Sequence, residues 1–170
     1  MLVRYLTPYL KLMKYLEAPN SINHYSGLDL TRTIFLAGSI TGAMNWQEDA
    51  ANCLIPYFNI FNPRRANYST LDPKMEREQI AWEYKHLDLA EITLFYFAPE
   101  TLAPITLLEY GKQLVKCHYA PHRKTYVCIH PEYKRKNDVL IQTELVNPIL
   151  LARTYSDLNT MYMKIVEENS

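Results

Sequence analysis

Short, almost continuously apolar runs alternate with amphipathic segments along most of the chain, starting at Thr33. Runs of this kind lack the polar alternation of a half-exposed strand and are typical of strands buried on both faces of a parallel sheet. They occupy residues 33–37, 58–61, 92–97 and 125–129. The pattern therefore predicts a parallel sheet of four to five strands.

Segments with helical periodicity separate and follow these runs. They cover residues 46–54, 76–90, 104–118, 138–146 and 157–168. Asn45 and Ser156 precede two of the segments, where a short polar side chain can cap a helix, and Pro104 suits a first helical turn. Alternating strands and helices predict an α/β fold, doubly wound, with helices on both faces of the sheet and right-handed crossovers.

Residues 1–32 differ from the rest of the chain. Apolar residues from Leu2 to Leu16 are spaced as a loose helical stripe, and residues 18–32 have the composition of coil. Charges at Arg4 and Lys11 exclude a membrane span, and no small-residue cleavage site follows. We therefore expect an N-terminal extension over 1–32, one domain over 33–170, and no contact with a membrane.

The composition of the chain excludes some classes of function. The 170 residues are 48% hydrophobic, which is enough for a sizeable core. Lys+Arg and Asp+Glu are both 18, so the chain lacks the basic excess that binding to nucleic-acid polymers requires. The three cysteines have no motif spacing, which predicts a reducing, cytoplasmic setting.

Glycine is scarce, with four residues where average usage would give about twelve. The four are Gly27, Gly38, Gly42 and Gly111. A chain so poor in glycine is expected to keep it where a Cβ atom cannot be tolerated.

Ligands of doubly wound sheets bind beyond the carboxyl ends of the strands, so the segments that follow the strands are of most interest. The first is the loop Gly38-Ser39-Ile40-Thr41-Gly42, whose backbone N–H groups could face an anion or a sugar hydroxyl. It lacks the spacing and the lysine of a Walker loop. The alternative is an ordinary tight turn between strand and helix.

Adjacent arginines follow the second strand, in Asn62-Pro63-Arg64-Arg65. Guanidinium groups at a strand end can hold a phosphate or a carboxylate through two hydrogen bonds. The alternative is a solvated turn with two exposed charges.

Two glutamates lie on the apolar stripes of successive helices. Glu109 lies among apolar residues, where a carboxylate is costly to bury, and Glu83 shares the stripe of the preceding helix. Two carboxylates that converge on one cleft can divide into a nucleophile and an acid/base group. The alternative is that Glu83 pairs with Lys85 or Lys112 on a solvated face. Gly111 either makes room for a ligand or allows a helix–helix contact.

Other signals fail. His118 and His122 have metal-ligand spacing but are separated by Pro121, and no other histidine grouping or catalytic triad is visible. We therefore expect neither a metal nor a cofactor. Fourteen tyrosines favour an oligomer interface or a stacking pocket.

Taken together, six ordered motifs resemble the nucleoside 2-deoxyribosyltransferase-like family over about residues 33–147. They are Phe35-Leu36-Ala37-Gly38-Ser39-Ile40-Thr41-Gly42, Asn45-Trp46-Gln47, Phe61-Asn62-Pro63-Arg64-Arg65, Gln79-Ile80-Ala81-Trp82-Glu83, Pro104-Ile105-Thr106-Leu107-Leu108-Glu109-Tyr110-Gly111 and the stretch 131–143, which includes Asn137 and Asp138. The resemblance implies a flavodoxin-like fold and a homo-oligomer in which a neighbouring subunit completes the site.

The resemblance also implies a reaction. Members cleave the N-glycosidic bond of deoxynucleosides and transfer the deoxyribosyl group to another base through a covalent glycosyl-glutamate. The nucleophile would be Glu109, and Glu83 would orient the sugar or shuttle the proton of the base. The expected substrate-binding residues are Gly38, Ser39, Ile40, Thr41, Gly42, Trp46, Asn62, Arg64, Arg65, Gly111, Asn137 and Asp138.

Three departures from the family pattern leave the substrate open. Thr41 stands where related deoxynucleotide N-glycosidases have an arginine for the 5′-phosphate, although Arg64 or Arg65 could replace it. Glu83 replaces the usual aspartate, and Ala103 stands where transferases often carry an acid. The alternatives are a hydrolytic nucleotide N-glycosidase, a non-catalytic nucleotide-binding module, and an interaction protein that uses its tyrosine-rich surface.

Overall fold

A single sheet of six parallel strands organises the structure, a computed structural model that describes residues 13–20, 28–120 and 122–169. The spatial order of the strands is β1-β3-β2-β4-β5-β6. The strands are β1 Tyr15–Glu17, β2 Thr33–Gly38, β3 Asn59–Asn62, β4 Ile92–Phe97, β5 Lys124–Ile129 and β6 Thr154–Tyr155. The predicted parallel sheet is confirmed, with six strands in place of four to five.

Helices cover both faces of this sheet. They are α1 Trp46–Leu54, α2 Pro73–Leu89, α3 Pro104–Tyr119, α4 Lys136–Val146 and α5 Leu158–Asn169, with 3₁₀ turns at Leu30–Arg32 and Pro148–Arg153. Along β2, Ile34 and Leu36 pack with α1 and α5, whereas Phe35 and Ala37 pack with α2, α3 and α4. Because both faces of the central strands are buried, these strands read as continuous apolar runs, and the flavodoxin-like fold is confirmed.

The two strands that sequence reasoning did not predict lie at the edges of the sheet. Leu16, which the apolar spacing assigns to a helical stripe, is instead the buried centre of β1 and lies beside Phe61 of β3. Pairing with β3 outweighs the helical spacing of the apolar residues in this segment. The pairing extends past the end of β1, because the Ala18 N–H donates to the Asn62 carbonyl at 3.0 Å. The rest of the predicted stripe, residues 1–12, lies outside the described residues.

Three helices begin at residues other than those predicted, and acidic side chains explain two of these differences. Helix α2 starts at Pro73 in place of 76, because the Asp72 carboxylate accepts hydrogen bonds from the N–H groups of Lys74 and Met75. Before α5 the Asp157 carboxylate accepts the Thr160 N–H at 2.7 Å. Asp157, and not Ser156, therefore caps this helix. Helix α4 begins at Lys136 in place of 138.

Strand order reverses at β2. From β2 the chain crosses to β3 on one side, and from β3 it returns past β2 to β4 on the other. Such a reversal opens a crevice at the carboxyl ends of the strands, between the helices that flank it. Within the described residues no helix has the length and apolar character needed to cross a membrane.

Candidate active site

A cleft of about 340 Å³ lies at the carboxyl ends of the strands, at this reversal of strand order. Four segments form its walls: the loop after β2, the segment after β3, one face of α2, and the start of α3 with the residues before it. The polar and charged side chains among its lining residues are Ser39, Thr41, Arg65, Tyr68, Thr70, Glu76, Gln79, Glu83, Thr101, Thr106 and Glu109. The volume suits a small molecule.

The loop after β2 is held in place by a tryptophan. The indole Nε1 of Trp46 donates to the Ser39 carbonyl at 2.9 Å, and the ring packs against Gly38. A Cβ atom on Gly38 would come within 2.7 Å of the Trp46 ring and 2.6 Å of the Tyr96 carbonyl oxygen. Close approach therefore requires glycine at 38. Trp46 itself does not line the cleft and supports the wall from behind.

Gly42 and Gly111 differ from Gly38 in backbone conformation and in surroundings. Gly42 adopts a φ of +77°, which only glycine adopts readily, and it ends the loop outside the cleft. Gly111 is exposed on α3, and a Cβ atom there would meet nothing within 4 Å. Gly111 does not line the cleft of its own chain, so the role expected for it in admitting a ligand stays a prediction. Gly27 lies outside the described residues.

Of the two arginines after β3, Arg64 is already engaged by the protein. Its guanidinium donates to Gln47 Oε1 at 3.0 Å and to the Met44 carbonyl at 3.2 Å, which ties the loop after β2 to helix α1. Asn62 supports the same turn, because its Oδ1 accepts the Arg64 N–H at 2.9 Å and its Nδ2 donates to the Tyr15 hydroxyl. Neither Arg64 nor Asn62 lines the cleft.

Arg65, in contrast, lines the cleft, and one of its donor atoms has no hydrogen-bond partner among the described residues. Its Nη2 lies 3.3 Å from Glu78 Oε2, while its Nη1 is buried and has no partner among the described residues. The Ser39 hydroxyl is likewise buried, in the cleft wall, without a partner in the described part of the chain. These two groups are available to a ligand.

Gln79 provides an acceptor in the same cleft. Its Nε2 donates to the Pro63 carbonyl at 2.6 Å and to Glu83 Oε1 at 2.8 Å, and its buried Oε1 has no partner within the described residues. A flipped amide would place Oε1 against two acceptor oxygens, so this orientation is fixed by the network. Sequence reasoning missed Gln79 as a site residue, although it stands one helical turn before Glu83.

Both predicted carboxylates line the cleft, and both are half-buried. Burial raises the pKa of Glu83, and the hydrogen bond from Gln79 partly opposes this. Burial and the charge of Glu83 raise the pKa of Glu109 to about 7, against a smaller lowering effect of Lys112. The alternative pairing of Glu83 with Lys85 or Lys112 is not observed, because Glu83 forms no ion pair with any described residue.

The electrostatic coupling has a chemical consequence. Because ionised Glu83 disfavours the ionisation of Glu109, the pair keeps one proton up to about pH 7. A pair in this state contains one carboxylate, which can stabilise a cation or attack an electrophilic carbon, and one carboxylic acid, which can donate a proton.

A strained residue shapes the wall before α3. Ala103 has a φ of +45°, and its N–H donates to Thr101 Oγ1 at 3.2 Å. A left-handed conformation costs a non-glycine residue about 1 kcal/mol, and such strain is common at binding sites. The turn brings Ala103 and the first turns of α3, with Glu109, into the cleft wall.

Asn137 and Asp138 lie away from the cleft of their own chain. Both are exposed in the first turn of α4, and the Asp138 carboxylate pairs with Arg135 at 2.9 Å. Tyr68 and Thr70, by contrast, line the cleft from the irregular segment after β3. No sequence signal identifies these two, because periodicity does not place residues in an irregular loop.

Groups with other chemistry are separate from this site. Among the described residues no cluster of three or more histidine, cysteine or acidic side chains could hold a metal ion. The three cysteines are free thiols; Cys117 and Cys128 are buried and Cys53 is exposed.

Comparison with known proteins adds one finding. Residues 31–133 match the model of a family described as nucleoside 2-deoxyribosyltransferase like, and this region contains every residue that lines the cleft. No curated protein matches the chain.

Proposed function

The chain belongs to the nucleoside 2-deoxyribosyltransferase-like family, and from this we propose that it cleaves the N-glycosidic bond of deoxynucleosides and transfers the deoxyribosyl group to another base. The observation that carries the proposal is the pair of half-buried carboxylates, Glu83 and Glu109, in one cleft of nucleoside size. The family supports a role in handling nucleosides, and the carboxylate pair supplies the chemistry for this particular bond.

In the free cleft the single proton of the pair rests on Glu109, whose pKa is raised to about 7, and in the reacting form this proton has moved to Glu83. In the first half of the reaction, ionised Glu109 then attacks the anomeric carbon of the sugar. The carbon–nitrogen bond breaks, its electron pair stays on the base, and protonated Glu83 supplies a proton to the leaving base. Positive charge develops on the sugar as the bond breaks, and the adjacent carboxylate stabilises it. The product is a deoxyribosyl ester of Glu109.

In the second half, an incoming base replaces the first. Its nitrogen attacks the anomeric carbon, the ester bond to Glu109 breaks, and Glu83 takes up the proton that the incoming base loses. The cleft returns to its starting state with one proton on the pair. Water in place of the second base would release free deoxyribose, which is the hydrolytic alternative.

Apolar side chains around the carboxylates favour transfer over hydrolysis. Ile40, Ile80 and Ile105 line the cleft together with Phe35. Such a lining disfavours ordered water beside the ester and leaves the intermediate for a second base. The buried donors on Ser39 and Arg65 would bind the sugar and its 5′ substituent.

The test is a time course with a deoxynucleoside, with and without a second free base, followed by mass spectrometry of the protein after incubation with a 2-fluoro-arabinosyl nucleoside. We expect base exchange and a sugar adduct on Glu109. Glu109→Gln should lower turnover by roughly 1,000-fold or more. Glu144→Gln, which changes an exposed glutamate of α4, serves as the matched control.

The remaining outcomes separate the alternatives. Free deoxyribose without base exchange would assign the hydrolytic N-glycosidase. Nucleoside binding without turnover, equal in the wild type and in Glu109→Gln, would assign a binding module. An adduct on another residue would overturn the role of Glu109.

A further inference from the structure

One face of α2 presents a row of polar side chains to the cleft. Glu76, Gln79 and Glu83 follow at helical spacing, and all three line the cleft. Of these, Gln79 can offer the ligand only an acceptor, because both of its N–H groups are used by Pro63 and Glu83. A ligand that binds this part of the wall would therefore need to supply a hydrogen-bond donor.

The free acceptor is costly without a ligand. Gln79 is 5% exposed, and its Oε1 has no partner within the described residues. A buried acceptor that loses its water without gaining a donor costs about 1–3 kcal/mol. A ligand that supplies an N–H or O–H group at this point recovers that free energy, and a ligand that places an oxygen there does not.

The neighbour of this acceptor shows which part of the substrate faces it. Gln79 is hydrogen-bonded to Glu83 at 2.8 Å, so its Oε1 lies beside the group to which the proposed function assigns proton transfer to the base. A protonated Glu83 and the Gln79 oxygen together form a donor next to an acceptor. Their complement is a base edge with a ring nitrogen next to an exocyclic amino group.

We propose that Gln79 is a specificity-determining residue that selects nucleosides whose base carries an exocyclic amino group beside a ring nitrogen. Adenine and cytosine present this edge. Hypoxanthine and uracil place a carbonyl oxygen where the amino group would be, so that two acceptors face each other. The inference rests on the proposed function, because it takes Glu83 as the acid that meets the base.

The test compares substrates that share a sugar and differ in this one group: deoxyadenosine with deoxyinosine, and deoxycytidine with deoxyuridine. For the wild type we expect kcat/KM to favour the amino member of each pair by roughly 10- to 100-fold. Gln79→Met keeps the length of the side chain and removes the acceptor. In this variant the preference should fall to near unity, measured as the ratio of kcat/KM values within each pair.

The ratio of kcat/KM values within a pair distinguishes recognition of the base by Gln79 from a purely structural role of this residue. A loss of packing at 79 would lower kcat/KM for both members of a pair alike and leave the ratio unchanged. Intrinsic differences in leaving ability between the bases cancel when the ratio of the variant is divided by that of the wild type. Gln142→Met, at an exposed glutamine of α4, is the matched control and should retain the wild-type ratio.

Several results would overturn the inference. The first is an equal rate for both members of each pair in the wild type, which needs no variant and holds even if Gln79→Met fails to fold. The second is an unchanged ratio in Gln79→Met. The third is a penalty for removing the 3′-hydroxyl that disappears in Gln79→Met, which would assign the acceptor to the sugar.

Failure of the proposed function gives a different result. In that case no deoxynucleoside is turned over, and calorimetric titration of the same four nucleosides into the wild-type protein decides the preference of Gln79. Tighter binding of the amino members would support the inference, and equal affinities would overturn it.

Discussion

At the scale of single residues, the burial of two carboxylates governs the chemistry of the cleft. Glu109 and Glu83 both have a raised pKa because the site removes them from water, and the charge of Glu83 raises the pKa of Glu109 further. The Gln79 amide acts in the opposite direction on Glu83. The pair thus holds one proton over a range of pH in which two exposed glutamates would hold none.

The pH dependence of kcat/KM should be bell-shaped. Activity needs one carboxylate and one carboxylic acid, so it rises as the pair loses its first proton and falls near pH 7, where the pair loses its last proton. A pH series from about 5 to 9 measures this. Glu83→Gln should lower activity and remove the falling limb. A plateau above pH 7 in the wild type would show that Glu83 only orients the substrate.

Glu109→Gln should stabilise the protein at high pH. The folded-state pKa of about 7 exceeds the ordinary value of 4.5, so the neutral acid favours folding below pH 4.5, and this contribution is lost as pH rises through 7. A neutral amide avoids the loss. We expect a gain in the free energy of unfolding of about 3 kcal/mol near pH 8 and little change near pH 4, measured by denaturant unfolding. An equal effect at both values would contradict the burial of this carboxylate.

At the scale of elements, the loop after β2 depends on what packs behind it. The indole of Trp46 and the guanidinium of Arg64 both hold carbonyl groups of residues 39–44. Gly38 allows β2 to pass within contact of Trp46 and of the Tyr96 backbone. The loop is therefore a preformed wall of the cleft.

Two glycine substitutions should have opposite effects on stability. Gly38→Ala places a Cβ atom 2.6 Å from a backbone oxygen that cannot move easily, so the protein should lose about 1–3 kcal/mol. Gly111→Ala fills open space on a helix and should gain about 0.5–1 kcal/mol. Thermal unfolding of the two variants beside the wild type measures both. A neutral Gly38→Ala would contradict the close approach at Trp46.

The elements also show which features the sequence could predict. Strands β2 and β4 were predictable because burial on both faces makes them continuously apolar. Strands β1 and β6 have three and two residues, too few for any periodicity to stand out. The helical stripes of Glu83 and Glu109 allowed either convergence on one cleft or a solvated pairing of Glu83, and the family resemblance favoured convergence. Tyr68 enters the cleft from an irregular loop that no pattern places.

At the scale of the whole molecule, apolar side chains remain exposed beside the cleft. Ile80 and Tyr84 on α2 are 58% and 71% exposed, and Ile105 and Leu108 on α3 are 61% and 58% exposed. Exposed apolar side chains concentrated beside a cleft are typical of an interaction site. We propose that a second copy of the chain covers this rim of the cleft, as the resemblance to the family implies.

Charges on this surface should separate the subunits. In Tyr84→Lys/Leu108→Lys the interface would have to bury two ammonium groups, so light scattering after gel filtration should give a monomer with reduced transferase activity. Met163→Lys changes an equally exposed residue of α5, on the other face of the sheet, and should leave the assembly intact. A monomeric wild type would overturn the proposal.

The placement of the two tryptophans has a practical consequence. Trp46 holds the loop after β2 from behind, and Trp82 stacks on His86 at 3.9 Å within α2, one residue before Glu83. The chain has no other tryptophan, so both of its main fluorophores adjoin walls of the cleft. Quenching or enhancement of the intrinsic emission should therefore report occupancy directly, and a titration followed at the indole band needs neither a label nor a coupled assay.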